Sequence, residues 1–237
     1  MALVTAPSGK DFDDIDRLLL RLGNAVGFIQ WYDKGHILAS GHESHIYVEG
    51  REDTTQNPGF LSLACWKILK DVMDIMGGEQ DFRHPRFIGI PHAAYGWTPA
   101  ITMVDHFSDI THRQACHLVM RASVKGHGGR EGKWVAGKPN PKEYRDILFD
   151  NVVTTAGSMK AAAKHLVEDG WKLADVDAMV FVDRQQGGLE EMRRVGFHQV
   201  HACYNLLDIA YVLGEIGVWP KAVTKKIEQE IKKNQFA

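Results

Sequence analysis

Long apolar runs, a surplus of one charge and paired cysteines are all missing from this chain of 237 residues. Without an uninterrupted run of roughly 18–20 apolar residues, no segment is a candidate membrane-spanning helix. Lys and Arg number 28 against 30 Asp and Glu, a formal net charge of -2, which weighs against a surface built mainly to grip nucleic acid. Cys65, Cys116 and Cys203 are scattered and odd in number, so they support neither a disulfide framework nor a zinc site. Met1 to Lys10 lacks the charged end and apolar stretch of a secretory signal. Gly-Lys-Ser/Thr is absent too, which argues against a P-loop nucleotide triphosphatase. These absences leave the expectation of a near-neutral cytoplasmic protein, 44% hydrophobic and long enough to bury a full core. Twelve histidines and 23 glycines are its two surpluses.

Periodicity divides the chain into alternating elements. Asp13-Asp14-Ile15-Asp16 ahead of Arg17 to Leu22 predicts a helix with acid at its positive end, stopped by Gly23. Two short strands are expected between His36 and Val48, broken at Ser40-Gly41. Asn57-Pro58 opens a helix whose apolar residues, from Leu61 to Ile75, recur at helical spacing until Gly77-Gly78. Arg86–Ile90, His117–Met120, Asp146–Phe149, Ala178–Val182 and Val200–Ala202 read as strands. Pro99–His106, Ser158–Glu168, Leu189–Val195 and Leu206–Leu213 read as the helices between and after them. This alternation implies an α/β fold with a mostly parallel central sheet flanked by helices. Lys221–Lys233 reads as a polar amphipathic closing helix, and Val124 to Gly132 as a mobile loop too rich in glycine and charge to pack.

In such sheets ligands sit beyond the carboxyl ends of the strands, where Phe149-Asp150-Asn151-Val152-Val153-Thr154-Thr155-Ala156-Gly157-Ser158 falls. Asp150 and Asn151 are short polar residues able to hold a vicinal diol. The small residues Thr154 to Ser158 can wrap an anion with backbone N–H groups and hydroxyls, and the helix from Met159 points its positive end at the same place. A diol holder beside a phosphate cradle describes a ribose 5-phosphate site. The plain alternative is a strand–turn–helix in which Ser158 is only an N-cap.

The cradle resembles the phosphoribosyl-diphosphate motif of type I phosphoribosyltransferases, two acidic residues followed by Val-Ile/Val-Thr-Thr-Gly-Gly-Ser. Three further segments, in the family's order, resemble the orotate phosphoribosyltransferases within it. Ser40-Gly41-His42-Glu43-Ser44-His45-Ile46-Tyr47 is similar to a Ser-Gly-x-x-Ser-Pro-x-Tyr hairpin, Arg121 with Lys125-Gly126-His127-Gly128-Gly129 to a catalytic loop, and Asp183-Arg184-Gln185-Gln186-Gly187-Gly188 to Asp-Arg-x-x-Gly-Gly. The resemblance implies the type I phosphoribosyltransferase fold, with a small N-terminal hood of helix and strands (1–56) on a core with a C-terminal helix (57–237).

It also implies an activity: displacement of pyrophosphate from phosphoribosyl diphosphate (PRPP) by orotate. The leaving group is a polyanion, so the protein must supply cations and a metal ion with water excluded. By resemblance, Arg121, Lys125 and His127 close over pyrophosphate, with His127 also a possible proton donor by type. Asp150 joins them as a catalytic residue; Asp150, Asn151, Val153, Thr154, Thr155, Ala156, Gly157 and Ser158 hold PRPP; Thr154 and Arg184 meet orotate. Mg2+ is the implied cofactor, carried by PRPP without direct side-chain ligation, with Asp150 reaching it through water. Loop residues of this kind act across a dimer interface, so a homodimer is implied.

Four departures stand against the pattern. Asn151 replaces an acid, Ala39 a lysine before Ser-Gly, Ala122 a second loop lysine, and Pro91-His92-Ala93-Ala94-Tyr95-Gly96-Trp97 aligns poorly with the pyrophosphate loop. His36, His42, His45 and His92 lie near these positions, as substitute cations or as ordinary surface residues; no pair has transition-metal spacing. Two other readings stay open: a different base, bordered by the first hairpin and the Trp97 loop, or a non-catalytic PRPP sensor that lost its cations.

Overall fold

The computed structural model describes residues 3–37, 43–50, 52–125, 132–137, 140 and 144–234. A two-stranded hairpin, β1 (Val4–Thr5) with β2 (Asp11–Phe12), leads into α1 (Asp14–Ala25). The Asp13 carboxylate caps α1 by accepting the N–H groups of Ile15 and Asp16, both at 2.8 Å, and Asp16 accepts the Asp13 N–H in return. Gly23 does not stop this helix as expected. It lies inside α1 where α3 (Pro58–Gly78) crosses, and a Cβ there would come within 3.0 Å of the Phe60 ring.

Between these helices, β3 (Ile29–Ile37) pairs antiparallel with β4 (Glu43–Val48), and α2 (Glu52–Gln56) follows. β3 begins well before His36, the expected start. Tyr32, Asp33 and Lys34 in its middle are exposed and fall where the register on β4 shifts between Trp31 and His36, so no apolar alternation announces the strand.

The rest alternates: β5 (His84–Gly89), α4 (Trp97–Ser108), β6 (Cys116–Lys125), β7 (Gly132–Ala136), β8 (Tyr144–Val153), α5 (Gly157–Glu168), β9 (Val176–Asp183), α6 (Gly188–Val195), β10 (Val200–Asn205), α7 (Leu206–Glu215) and α8 (Lys221–Asn234). Six strands form one sheet in the order β10-β9-β8-β5-β6-β7, parallel throughout except for β7, which runs antiparallel on β6 and was not expected. All eight residues of β9 are buried, as a strand covered on both faces requires. Alternate side chains divide into two cores. Phe149, Met179 and Phe181 face α1, α3 and α7, while Leu148, Ala178 and Val180 face α5 and α6. Phe28 of the N-terminal segment packs tilted against Phe60 at 5.0 Å and meets Phe181 edge-on at 5.6 Å, so the N-terminal segment shares the first core. Each such buried phenylalanine contributes about 1.5–3 kcal/mol.

Ion pairs stitch the amino-terminal ends of the strands. Arg86 on β5 and Asp146 on β8 are register partners, both buried, with Nε–Oδ1 2.7 Å and Nη2–Oδ2 3.0 Å. Arg145 holds Asp177 on β9 in the same bidentate way. The carboxyl ends are left for a ligand. Among the described residues no helix is long and apolar enough to cross a membrane.

Candidate active site

β8 runs past the predicted Phe149 to Val153 and delivers Asp150 to the carboxyl edge of the sheet. Asp150, Val152, Val153, Thr154, Thr155, Ala156, Gly157, Ser158 and Met159 line one open concavity of about 260 Å³. Ala156 is the N-cap of α5 and adopts a left-handed backbone, φ 59 and ψ 20. Ser158 therefore lies inside the first turn and is not the cap. Alanine offers no side-chain acceptor, so the first N–H groups of α5 take no side-chain cap. Those orphan donors, the positive helix end and the Thr and Ser hydroxyls converge on the concavity, which suits a phosphate.

The paired polar residues of the cradle part company. Asp150, 5% exposed, lines the concavity and accepts the Asn151 N–H at 2.8 Å. Asn151 points to the other face of β8, as the next residue of a strand must. Its amide donates to the Ala93 carbonyl at 3.2 Å and lies on the backbone of Gly50, where a Cβ would sit 1.8 Å from Nδ2. The geometry thus brings Asp150, but not Asn151, into the concavity.

Arg184 adjoins the cradle through its N–H, which donates to the Val153 carbonyl at 3.1 Å. Its side chain is 3% exposed, and Nη2 donates to Ser44 Oγ at 2.8 Å and to the Ile46 carbonyl at 3.2 Å on β4. Nε is buried with no hydrogen-bond partner among the described residues. Burial pushes the guanidinium pKa down, and Glu230 pulls it back up. A cation dehydrated to this degree, with a donor unused, is suited to a carboxylate. The turn after it depends on close approach: a Cβ on Gly188 would sit 2.6 Å from Val153 Cγ2 and 2.8 Å from the Thr154 carbonyl. Asp183, which the sequence reading gave no role, is 5% exposed and accepts the Gln185 N–H at 2.9 Å, which holds the turn bearing Arg184. Its place in Asp-Arg-x-x-Gly-Gly was legible; its burial was not.

Of the expected loop cations, Arg121 is the one whose side chain lies among the described residues, and it does not line this concavity. Arg121 is half-buried on β6, on the far side of β5 from β8. Ala122 is exposed beside it. The Lys125 side chain and all of His127 lie outside the described residues, as do Ala39, His42 and the His36 side chain. His92, in the loop after β5, takes φ 64 and packs on Tyr95, whose hydroxyl donates to the Met120 carbonyl at 2.7 Å. His45 stacks on Trp31 at 5.2 Å. Trp97 itself is fully buried, packs on Phe149 and Phe181, and donates from Nε1 to the Gly50 carbonyl.

No protein-family model matches this chain. Among curated proteins, the orotate phosphoribosyltransferase of Pyrococcus abyssi is 32% identical over 164 residues, covering 69% of this chain and 80% of that protein. The chain belongs to the orotate phosphoribosyltransferase family. The orotate phosphoribosyltransferase of Nostoc sp. is 26% identical over 204 residues, 86% of this chain and 91% of its own length. The crystal structure of orotate phosphoribosyltransferase from Aeropyrum pernix shares the fold at a TM-score of 0.59 and 23% identity, covering 85% of this chain and 99% of that one. Within the type I phosphoribosyltransferase fold, then, this family member keeps the cradle and the buried arginine. It replaces the first glycine of the cradle with Ala156 and turns Asn151 away.

Proposed function

We propose that this chain transfers the phosphoribosyl group of PRPP to orotate, yielding orotidine 5′-monophosphate and pyrophosphate, a step of pyrimidine biosynthesis. The observation that carries the reading is the adjacency of two anion sites: the uncapped start of α5 and the buried Arg184, joined by the Arg184 N–H to Val153. The first suits the 5-phosphate and the second the orotate carboxylate. Asp150 stands at the cradle's edge to hold ribose hydroxyls, and its negative charge favours the positive character that develops at C1 as the bond to pyrophosphate loosens. The Arg121 loop supplies cations to the leaving group.

Mg2+ belongs to this reading as an ion brought by PRPP. Asp150 is the one carboxylate lining the concavity among the described residues, which fits an ion held mainly by phosphate oxygens and water. When bound it would offset the charge of the diphosphate. The position of Arg121 on β6, away from its own chain's cradle, supports a homodimer in which the loop serves the partner. The free cysteines Cys65, Cys116 and Cys203 suit a cytoplasmic setting.

The test is pyrophosphate release from PRPP with a panel of bases and magnesium present, alongside sedimentation of the protein. Orotate is expected to be the best acceptor, and Arg184→Ala to depress orotate turnover at least ~100-fold. No release above a blank with any base removes the transferase reading. Preference for another base removes the orotate assignment alone.

A further inference from the structure

The C-terminal helix reaches the arginine that this reading gives to orotate. Glu230 on α8 is largely buried and accepts the backbone N–H of His45 on β4 at 2.9 Å, with the His45 ring nitrogen Nδ1 3.4 Å from the same oxygen. His45 lies between Ser44 and Ile46, the two residues whose Oγ and carbonyl receive Arg184 Nη2. The same helix grips the hairpin a second time: Lys226 stands 5.5 Å over Trp31, whose ring also stacks on His45. Position 45 is where the hairpin pattern of the family carries proline. Proline has no N–H, so the backbone bond to Glu230 exists because a residue other than proline stands there.

We infer that Glu230 is a positioning residue for base binding: by anchoring β4 at His45 it holds Ser44 and Ile46, and through them the guanidinium of Arg184, in register for the carboxylate of the base. Without the anchor, β4 is left to the buried Ile46, to Arg184 itself and to a β3 ladder that shifts register between Trp31 and His36. Arg184 makes its side-chain bonds to β4, so any loosening of β4 disperses its geometry. The cradle for the 5-phosphate stands on β8 and α5, which Glu230 does not touch.

The inference rests on the transferase reading, and kinetics of the full chain separate the two. Glu230→Ala is expected to raise the KM for orotate roughly tenfold while the KM for PRPP stays within about twofold. Glu230→Gln keeps an oxygen that accepts the His45 N–H and should recover most of the loss. His45→Pro removes the donor and should mimic Glu230→Ala, and the double variant should be no worse than either single one. Thermal melts run alongside; if Glu230→Ala folds poorly, Glu230→Gln and His45→Pro still decide the matter. An unchanged orotate KM in a folded Glu230→Ala or His45→Pro, or a parallel rise in both KM values, overturns the inference while wild-type turnover stands. A wild type that releases no pyrophosphate with orotate overturns both.

Discussion

The Asn151 amide donates to the carbonyl of Ala93, 3.2 Å away across the gap between β8 and the loop that follows β5. The family pattern carries an acid at position 151, and on that pattern alone Asn151→Asp is a repair. The structure argues otherwise. A carboxylate there accepts hydrogen bonds only, so it would face a carbonyl oxygen on a buried, Gly50-lined surface. Asn151→Asp is expected to cost about 1–3 kcal/mol in urea unfolding and to lower turnover. Higher turnover at unchanged stability would show that the site was merely short of a charge.

Ala156 pays a conformational cost at φ 59 that glycine would not. Ala156→Gly relieves the crowding of Cβ against the backbone but adds freedom to the unfolded chain. The balance is a gain of about 0.5–1 kcal/mol, read as a higher urea midpoint at unchanged slope. A loss of stability would mean that contacts of the buried Ala156 methyl outweigh the backbone term.

Burial pushes the Asp183 carboxyl up to about 6; the Gln185 N–H works against this and nearby Glu190 adds repulsion. The folded protein then holds a proton that the unfolded chain, titrating near 3.8, has released. The stability linked to this group is therefore complete below the unfolded value and is lost as pH rises through about 6. Asp183→Asn keeps an acceptor for Gln185 and never ionises. Unfolding measured from pH 4 to 8 should show the variant gaining on wild type across that window, by at most about 3 kcal/mol. Parallel pH profiles for the two proteins would reject the assignment.

Asp146 is bound by Arg86 and also accepts the Trp171 Nε1 hydrogen bond at 2.7 Å. Its removal takes the carboxylate from a buried guanidinium at the end of the sheet remote from the cradle, leaving it the neutral Asn140 carbonyl. Asp146→Ala should lose about 3–5 kcal/mol of stability, with the KM for PRPP unchanged wherever the protein remains folded. A large KM effect with little loss of stability would tie this end of the sheet to the substrate.

Local rules carried the second half of the chain. The strand–helix alternation from Arg86 to Leu213 was legible because strands buried on both faces carry an apolar middle with charge toward their ends, and because glycine marks the turns between elements. The hood was read less well. β3 is half polar, and Gly23, a stop signal by residue type, serves instead as a passage for Phe60. In neither case is the partner encoded nearby.

The sequence by itself determined the chemistry on offer: a small-residue turn before a helix, an acid at the end of a strand, and an arginine in a glycine-flanked turn, all within short reach along the chain. Only the tertiary structure decided how they are used. It turned Asn151 away from Asp150, buried Trp97 in the core, and tied Arg184 to Ser44 and thence to Glu230. The physical reason is separation. A turn or a cap is settled by residues a few positions apart, whereas burial and hydrogen-bond partners are settled by segments that meet only once the sheet has formed.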